Sequence, residues 1–437
     1  MTTISRQLRA TDKTAWIERA ERFIPGGVNS SLRAQEPRLA VVRAAGAYFE
    51  DADGASYLDY QAGFGPPILG HGHPLVIDRI QDTLRTLDLV GVGVTPQEIE
   101  LAAKLVEHVP SVEKVLLCNS GSEATYHALR LARAATGRTD IIKFQGCYHG
   151  FHDAIALNVI SPPDKLGRHD PLSEGSLADV QQHTHICEFN NLDQVAALVE
   201  KHRGAIAAII LEPVPHNIGC VLPVPGFLEG LREIASQHGI VLIFDEVITG
   251  FRHGLGGYQK LCGVTPDLST LGKAMANGYP IAALGGRAGL MDRFNTRSGG
   301  TVFFAGTYNG HPLNCAAALA TIEVLEDPRS YHHLFQLGER IRCGLREIME
   351  RHKVKAQVTG IGSVFLTYFL EGPVRSYTDL LRNDADLFVR YRRKLIERGI
   401  YKLPMNLKRN HISLAHTSGD IDRTLEACED VIREIAG

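Results

Sequence analysis

Lys273 follows a strand-like run, Pro266-Asp267-Leu268-Ser269-Thr270-Leu271-Gly272, and precedes Ala274-Met275-Ala276-Asn277-Gly278. The order puts an amine at a strand's mouth with its stem partly buried. Most lysines are solvated surface charges, but burial and a nearby cation lower an amine's pKa, which an imine-forming lysine requires. A second segment, Val241-Leu242-Ile243-Phe244, ends in Asp245-Glu246. A carboxylate closing a wholly apolar run needs a cationic or donor partner. An arginine would satisfy it; so would a protonated heteroaromatic nitrogen, which the ion pair would keep charged as an electron sink. A third, Asn119-Ser120-Gly121-Ser122-Glu123-Ala124 after Cys118, opens a helix whose free N–H groups suit a phosphate. Taken alone it also reads as an ordinary cap with Ser122 and Glu123 in the first turn. In the fourth, Gly146 and Gly150 bracket Tyr148-His149 and allow close approach to a flat ring, although these two side chains alone read as packing residues.

The elements that must position these groups follow from the hydrophobic pattern. Val115–Cys118, Asp140–Phe144, Ile206–Leu211 and Ile240–Phe244 are short apolar runs of the kind buried in a mainly parallel sheet. Helical periodicity at about 122–136, 192–203 and 226–238 separates them, which predicts an α/β region with helices on both faces. Ligands in such sheets bind beyond the carboxyl ends of the strands, where all four segments fall. Upstream, a helix over 14–23 ends at Pro25-Gly26-Gly27. Ala47–Glu50 and Ser56–Asp59 then flank Asp53-Gly54 as a hairpin. Downstream, helices are expected over 311–326, 334–352 and 379–398, the last leading to a strand at Ile412-Ser413-Leu414.

At 437 residues the chain exceeds one small core, and 44% hydrophobic with 22% charged residues is an ordinary globular composition. A net charge of -3 from interspersed residues gives no field to gather nucleic acid or anionic lipid. The eight cysteines lack a Cys-x-x-Cys pair, which argues against a disulfide framework or structural zinc. The N-terminus, Met1 to Leu8, carries no apolar leader core and no run approaches a membrane span, so a cytoplasmic protein is expected.

Together these segments resemble pyridoxal-phosphate enzymes of aminotransferase class III, most closely the glutamate-1-semialdehyde aminomutase branch. The resemblance runs from about residue 20 to the C-terminus. It rests on Pro25-Gly26-Gly27-Val28-Asn29-Ser30, Gly70-His71-Gly72-His73-Pro74, Asn119–Ala124, Tyr148-His149-Gly150, Phe244-Asp245-Glu246-Val247 and Thr270-Leu271-Gly272-Lys273. It implies the fold-type-I architecture, with a seven-stranded, mainly parallel sheet between helices and a smaller α+β domain built from both chain ends. The expected division is 1–65 in the small domain, 66–325 as the large cofactor domain and 326–437 completing the small one. It further implies that Lys273 forms the cofactor's Schiff base and moves protons, while Asp245 pairs with the pyridinium nitrogen. Tyr148 and Val247 would cover the two ring faces, and Gly121 and Ser122 would hold the phosphate. Thr307 would reach the partner subunit's phosphate in a homodimer.

For substrate, the resemblance places Arg33 on a carboxylate, a task its planar fork suits, and puts Phe64 where the aminomutase branch usually has Trp. Its acidic pocket residue is replaced by Lys408; a slip of one position would offer Leu407 or Arg409, neither acidic. The segment 159–185, which gates the aminomutase, here carries Pro162, Pro163, Lys165, Arg168, His169 and Asp170. An aminomutase must retain a diamine, so these departures favour intermolecular transamination between an amino acid or amine and a keto acid or aldehyde. The alternatives are the aminomutase reaction itself, giving 5-aminolevulinate, and an amino-acid racemase or epimerase. A metal hydrolase built on His71, His73, His149 and His152 is disfavoured, because no acidic residue completes a familiar ligand set, and no metal is expected.

Overall fold

The computed structural model describes residues 12–436; the N-terminal octapeptide considered above lies outside them. Its centre is a seven-stranded sheet in the order β4-β10-β9-β8-β7-β5-β6. The strands are β4 (Lys114–Cys118), β5 (Asp140–Phe144), β6 (Thr184–Cys187), β7 (Ile206–Leu211), β8 (Val241–Glu246), β9 (Leu268–Leu271) and β10 (Ala282–Gly286). Only β10 runs antiparallel to its neighbours, β4 and β9. Alternate side chains of each strand serve opposite faces: Ile209, Leu211, Leu242 and Phe244 enter one apolar cluster, and Ala208, Ile210, Val241 and Ile243 the other. This two-sided burial is why the runs are apolar throughout.

The expected helices over 122–136, 192–203 and 226–238 are Gly121–Thr136, Leu192–Lys201 and Phe227–His238. The hairpin forms with Tyr48 opposite Leu58 and Glu50 opposite Ser56. β1 (Val41–Ala45), β2 (Tyr48–Asp51) and β3 (Ser56–Asp59) are joined by β13 (Ile400–Tyr401), which lies parallel to β3 with Ile400 opposite Leu58. Residues from both chain ends therefore share one sheet. A third sheet, β11 (Gln357–Thr359), β12 (Val364–Tyr368) and β14 (Asn410–His411), is antiparallel.

Three C-terminal expectations shift. The second long helix starts at Pro328 rather than 334, because Asp327 caps it by accepting from the Arg329 N–H. The helix expected over 379–398 divides into Tyr377–Leu380 and Ala385–Glu397, with Asp384 capping the second piece through the Leu387 N–H. The last strand lies at Asn410–His411, two residues before the apolar run expected to form it. All eight cysteines are free, and among the described residues no helix is long and apolar enough to cross a membrane.

Candidate active site

A cavity of about 250 Å³ opens at the carboxyl ends of β4, β8 and β9 and collects Gly121, Ser122, Tyr148, His149, Glu212, Asp245, Val247 and Lys273. Sheet register builds its floor. Asp245 and Thr270 are paired residues of β8 and β9, which lets the Thr270 hydroxyl donate to Asp245 Oδ1 at 2.8 Å. The Val247 N–H donates to the same oxygen at 3.1 Å, and Oδ2 accepts from His149 Nδ1 at 2.8 Å. With Nδ1 committed, His149 Nε2 is buried with no partner among the described residues. The neighbouring Glu246 turns away and is used structurally, accepting from the Gln259 backbone N–H at 3.0 Å and from the Thr249 hydroxyl at 2.8 Å.

Lys273 comes three residues after Thr270, past the extended Gly272, with φ of +46°. That left-handed backbone costs a non-glycine residue about 1–3 kcal/mol, strain of the kind held at functional sites. Burial, with the Arg409 guanidinium adding to it, brings the Lys273 ammonium down to about 8, against the opposing pull of Asp245 and Glu212. Its amine is therefore half available as a base near pH 8, well below an ordinary lysine, and largely so above it.

The turn after β4 serves both readings of its sequence. Ser120 is the cap, its hydroxyl accepting from the Glu123 N–H while Glu123 Oε2 accepts from the Ser120 N–H. The N–H groups of Gly121 and Ser122 are left at the positive end of the helix. A Cβ on Gly121 would stand 3.0 Å from both Val247 methyl groups, and one on Gly150 would stand 2.6 Å from Ser122 Oγ. Glycine at these two points keeps the cradle open. Tyr148 is held by its own N–H, which donates to Glu212 Oε1 at 2.9 Å, while Glu212 Oε2 accepts from the His216 N–H at 2.9 Å. Burial raises both the Tyr148 hydroxyl and the Glu212 carboxyl.

Other candidate residues fall outside this cavity. Arg33 and Phe64 line a second one, of about 430 Å³, and the Phe64-Gly65-Pro66 loop borders both, since Pro66 lines the first. Thr307 lines a third, beside Val90, Val92 and Asn309. Lys408 reaches neither of the first two. Its ammonium donates to Asn217 O at 2.9 Å and Oδ1 at 3.0 Å, and burial brings it down to about 7. Arg409, one residue on, is the cation that acts on Lys273. It donates to Phe64 O at 2.8 Å, His216 O at 3.0 Å and His411 Nε2 at 3.2 Å. Of the supposed metal ligands, His71 pairs with Asp59 at 2.9 Å and His149 with Asp245.

The sequence signals two further members of the site unequally. Glu212 closes the apolar run Ile206–Leu211 just as Asp245 closes the next one, so the same argument singles it out. His149 carries no such signal, because nothing local in a sequence pairs it with a carboxylate 96 positions away.

Fold and site together define an α/β enzyme whose cleft, at the mouth of a mainly parallel sheet, gathers a buried amine, a buried carboxylate and a free helix end. Residues 30–432 match the family described as aminotransferase class III, and the chain belongs to that family. It is 44% identical over 418 residues to a glutamate-1-semialdehyde 2,1-aminomutase from Desulforudis audaxviator, covering 95% of this chain and 96% of that protein. Among solved structures it is similar to an omega-transaminase from Sphaerobacter thermophilus, with a TM-score of 0.91, 32% identity and all of both chains covered. It is also similar to a transaminase with PLP bound, with a TM-score of 0.87, 28% identity, and 100% and 99% covered. Its cofactor is pyridoxal phosphate. The residues present fit that group: the unpartnered His149 Nε2, the acceptor Asp245, the two side-chain-free approaches at Gly121 and Gly150, and the helix end for a phosphate.

Proposed function

We propose that the chain is an intermolecular aminotransferase acting on carboxylate-bearing substrates, exchanging an amino group between an amino acid or amine and a keto acid or aldehyde. Pyridoxal phosphate, when bound, supplies an aldehyde that condenses with amines and a ring that withdraws electrons. The chain's own groups do the rest. The Gly121 and Ser122 amides and the Ser122 hydroxyl would hold the phosphate. Tyr148 and Val247 would cover the ring, Asp245 would hold a proton on the ring nitrogen, and His149 with Thr270 fixes that carboxylate. Lys273 Nζ would hold the cofactor and would take and return a proton at the substrate carbon.

The observation that carries the substrate reading is the buried cation that acts on Lys273. The Arg409 guanidinium is buried, and its charge is felt at Lys273 against the opposing carboxylates of Asp245 and Glu212. A second ammonium on the substrate side would be repelled there, whereas a carboxylate would be attracted. Arg33, across the Phe64 wall, would bind a carboxylate at the far end. The likeness to an aminomutase favours a second reading, an internal amino shift. Product analysis separates them: glutamate and other amino acids mixed singly with the enzyme should convert the cofactor to its amino form, and a keto acid should restore it. Formation of 5-aminolevulinate from glutamate-1-semialdehyde with no added acceptor, at a rate matching or exceeding transamination, would contradict the proposal.

We further propose a cytoplasmic homodimer, with the division into residues 1–65 plus 326–437 and 66–325 given above. Thr307 lines no part of its own subunit's cleft; it shares a cavity with exposed Val90 and Val92 and precedes exposed Tyr308, a surface suited to a second copy. Co-expressing Lys273→Ala and Thr307→Ala chains should regain activity that neither homodimer has, since one of the two mixed sites is then intact. No recovery in an isolated mixed dimer would place Thr307 outside the partner's site.

A further inference from the structure

At the amino end of β5, far from the cleft, a carboxylate and three imidazoles gather, and among the described residues no lysine or arginine is paired to them. Asp140 opens β5, whose other end leads to Tyr148; five residues at ~3.3 Å each put it roughly 15 Å from the strand end that serves the cleft. His185 lies on the edge strand β6 opposite Ile142, and His183, two positions earlier, shares its face. Asp140 Oδ2 is 2.9 Å from His185 Nε2, and Oδ1 is 2.8 Å from His183 Nδ1. The third imidazole, His202, caps the C-terminus of the helix Leu192–Lys201, and its ring centroid is 4.2 Å from that of His185.

We propose that Asp140, His185 and His202 form a binding site for a first-row divalent transition-metal ion such as zinc, separate from the cofactor cleft. One donor atom from each lies within 4.8 Å of the other two, and all three residues are half-buried. An ion bound at ~2.0–2.2 Å to a carboxylate oxygen and two imidazole nitrogens needs those donors about 3.3–3.6 Å apart, which side-chain rotation can reach from this spacing. The helix end at His202 adds partial negative charge. His183 keeps the other carboxylate oxygen and orients it, as partners behind metal ligands do. A contrast shows what an unsuitable cluster looks like: in Glu107, His108 and Glu326 the cation is already supplied by Lys104, 2.7 Å from Glu326. At Asp140 the nearby Arg133 gives its Nε to Thr139 O instead, at 2.8 Å, and the ion-pair partners are His183 and His185. A bound ion would join β5, the exposed edge β6 and the following helix into one unit.

The test uses the cofactor-loaded enzyme stripped of metal by a chelator and titrated with zinc chloride in a calorimeter, with melting temperature followed in parallel. One zinc per chain should bind, and melting should rise with zinc concentration. His185→Gln combined with His202→Gln should abolish that site while cofactor content and activity persist, which shows that the variant is folded. His183→Gln should weaken binding about 10-fold, and Glu326→Gln should leave it unchanged. Absence of saturable binding to the unsubstituted enzyme, or undiminished binding to the double variant, would overturn the assignment.

Discussion

At the scale of single residues, a depressed amine pKa does not mark the reactive lysine. Lys143 is brought down to about 8 and Lys408 to about 7 by the same burial that brings Lys273 to about 8. What distinguishes Lys273 is that it lines the cleft with Asp245, whereas Lys143 is spent on Leu157 O and Lys408 on Asn217. The second cause of its shift, Arg409, is removable. In cofactor-free protein, capture of pyridoxal phosphate should rise with pH about a midpoint near 8, and Arg409→Gln should move that midpoint upward; an unmoved midpoint would show that Arg409 does not act on Lys273. The stability sign follows from linkage. Between about 8 and the ordinary lysine value of 10.5 the unfolded chain binds the extra proton, so this group's penalty is full below about 8 and fades as pH rises through that window.

At the scale of elements, the strands that carry the site were legible and those that brace it were less so. β7 and β8 are buried on both faces and therefore continuously apolar, and their mouths at Leu211 and Phe244 deliver Glu212 and Asp245. β10 was invisible because Ala282-Ala283-Leu284-Gly285-Gly286 has no β-branched residue. Its glycines answer a packing demand instead: a Cβ on Gly285 would lie 2.5 Å from Val112 Cγ2, and one on Gly286 would lie 2.4 Å from Leu268 Cδ2. β13 is two residues long and exists through its pairing with a strand more than 340 positions away, which no local pattern records. The same steric logic yields a prediction at the helix proposed to hold the phosphate. Gly121→Ala should weaken cofactor binding by roughly 1–3 kcal/mol through crowding against Val247. Val247→Ala in the same chain should restore part of it, and purely additive losses would deny the contact.

At the scale of the molecule, the sheet gathers groups from five separated stretches of sequence at one mouth, and this convergence was readable because ligands of parallel sheets bind there. The substrate end was not readable in the same way. Arg33 and Phe64 lie in a neighbouring cavity, and the cation beside Lys273 is Arg409 rather than Lys408, because Leu407 has φ of +63° and the backbone there does not continue a regular strand. Such a turn shifts which side chain points where, and only coordinates reveal it. The central claim, that cofactor chemistry is anchored at Lys273, has a direct test against the other buried lysines. After loading with pyridoxal phosphate, borohydride reduction and peptide mapping by mass spectrometry should find the label on Lys273 alone, stoichiometric with the chain. Label on Lys408 or Lys143 in its place, or an unlabelled chain that still catalyses amino transfer, would contradict the account.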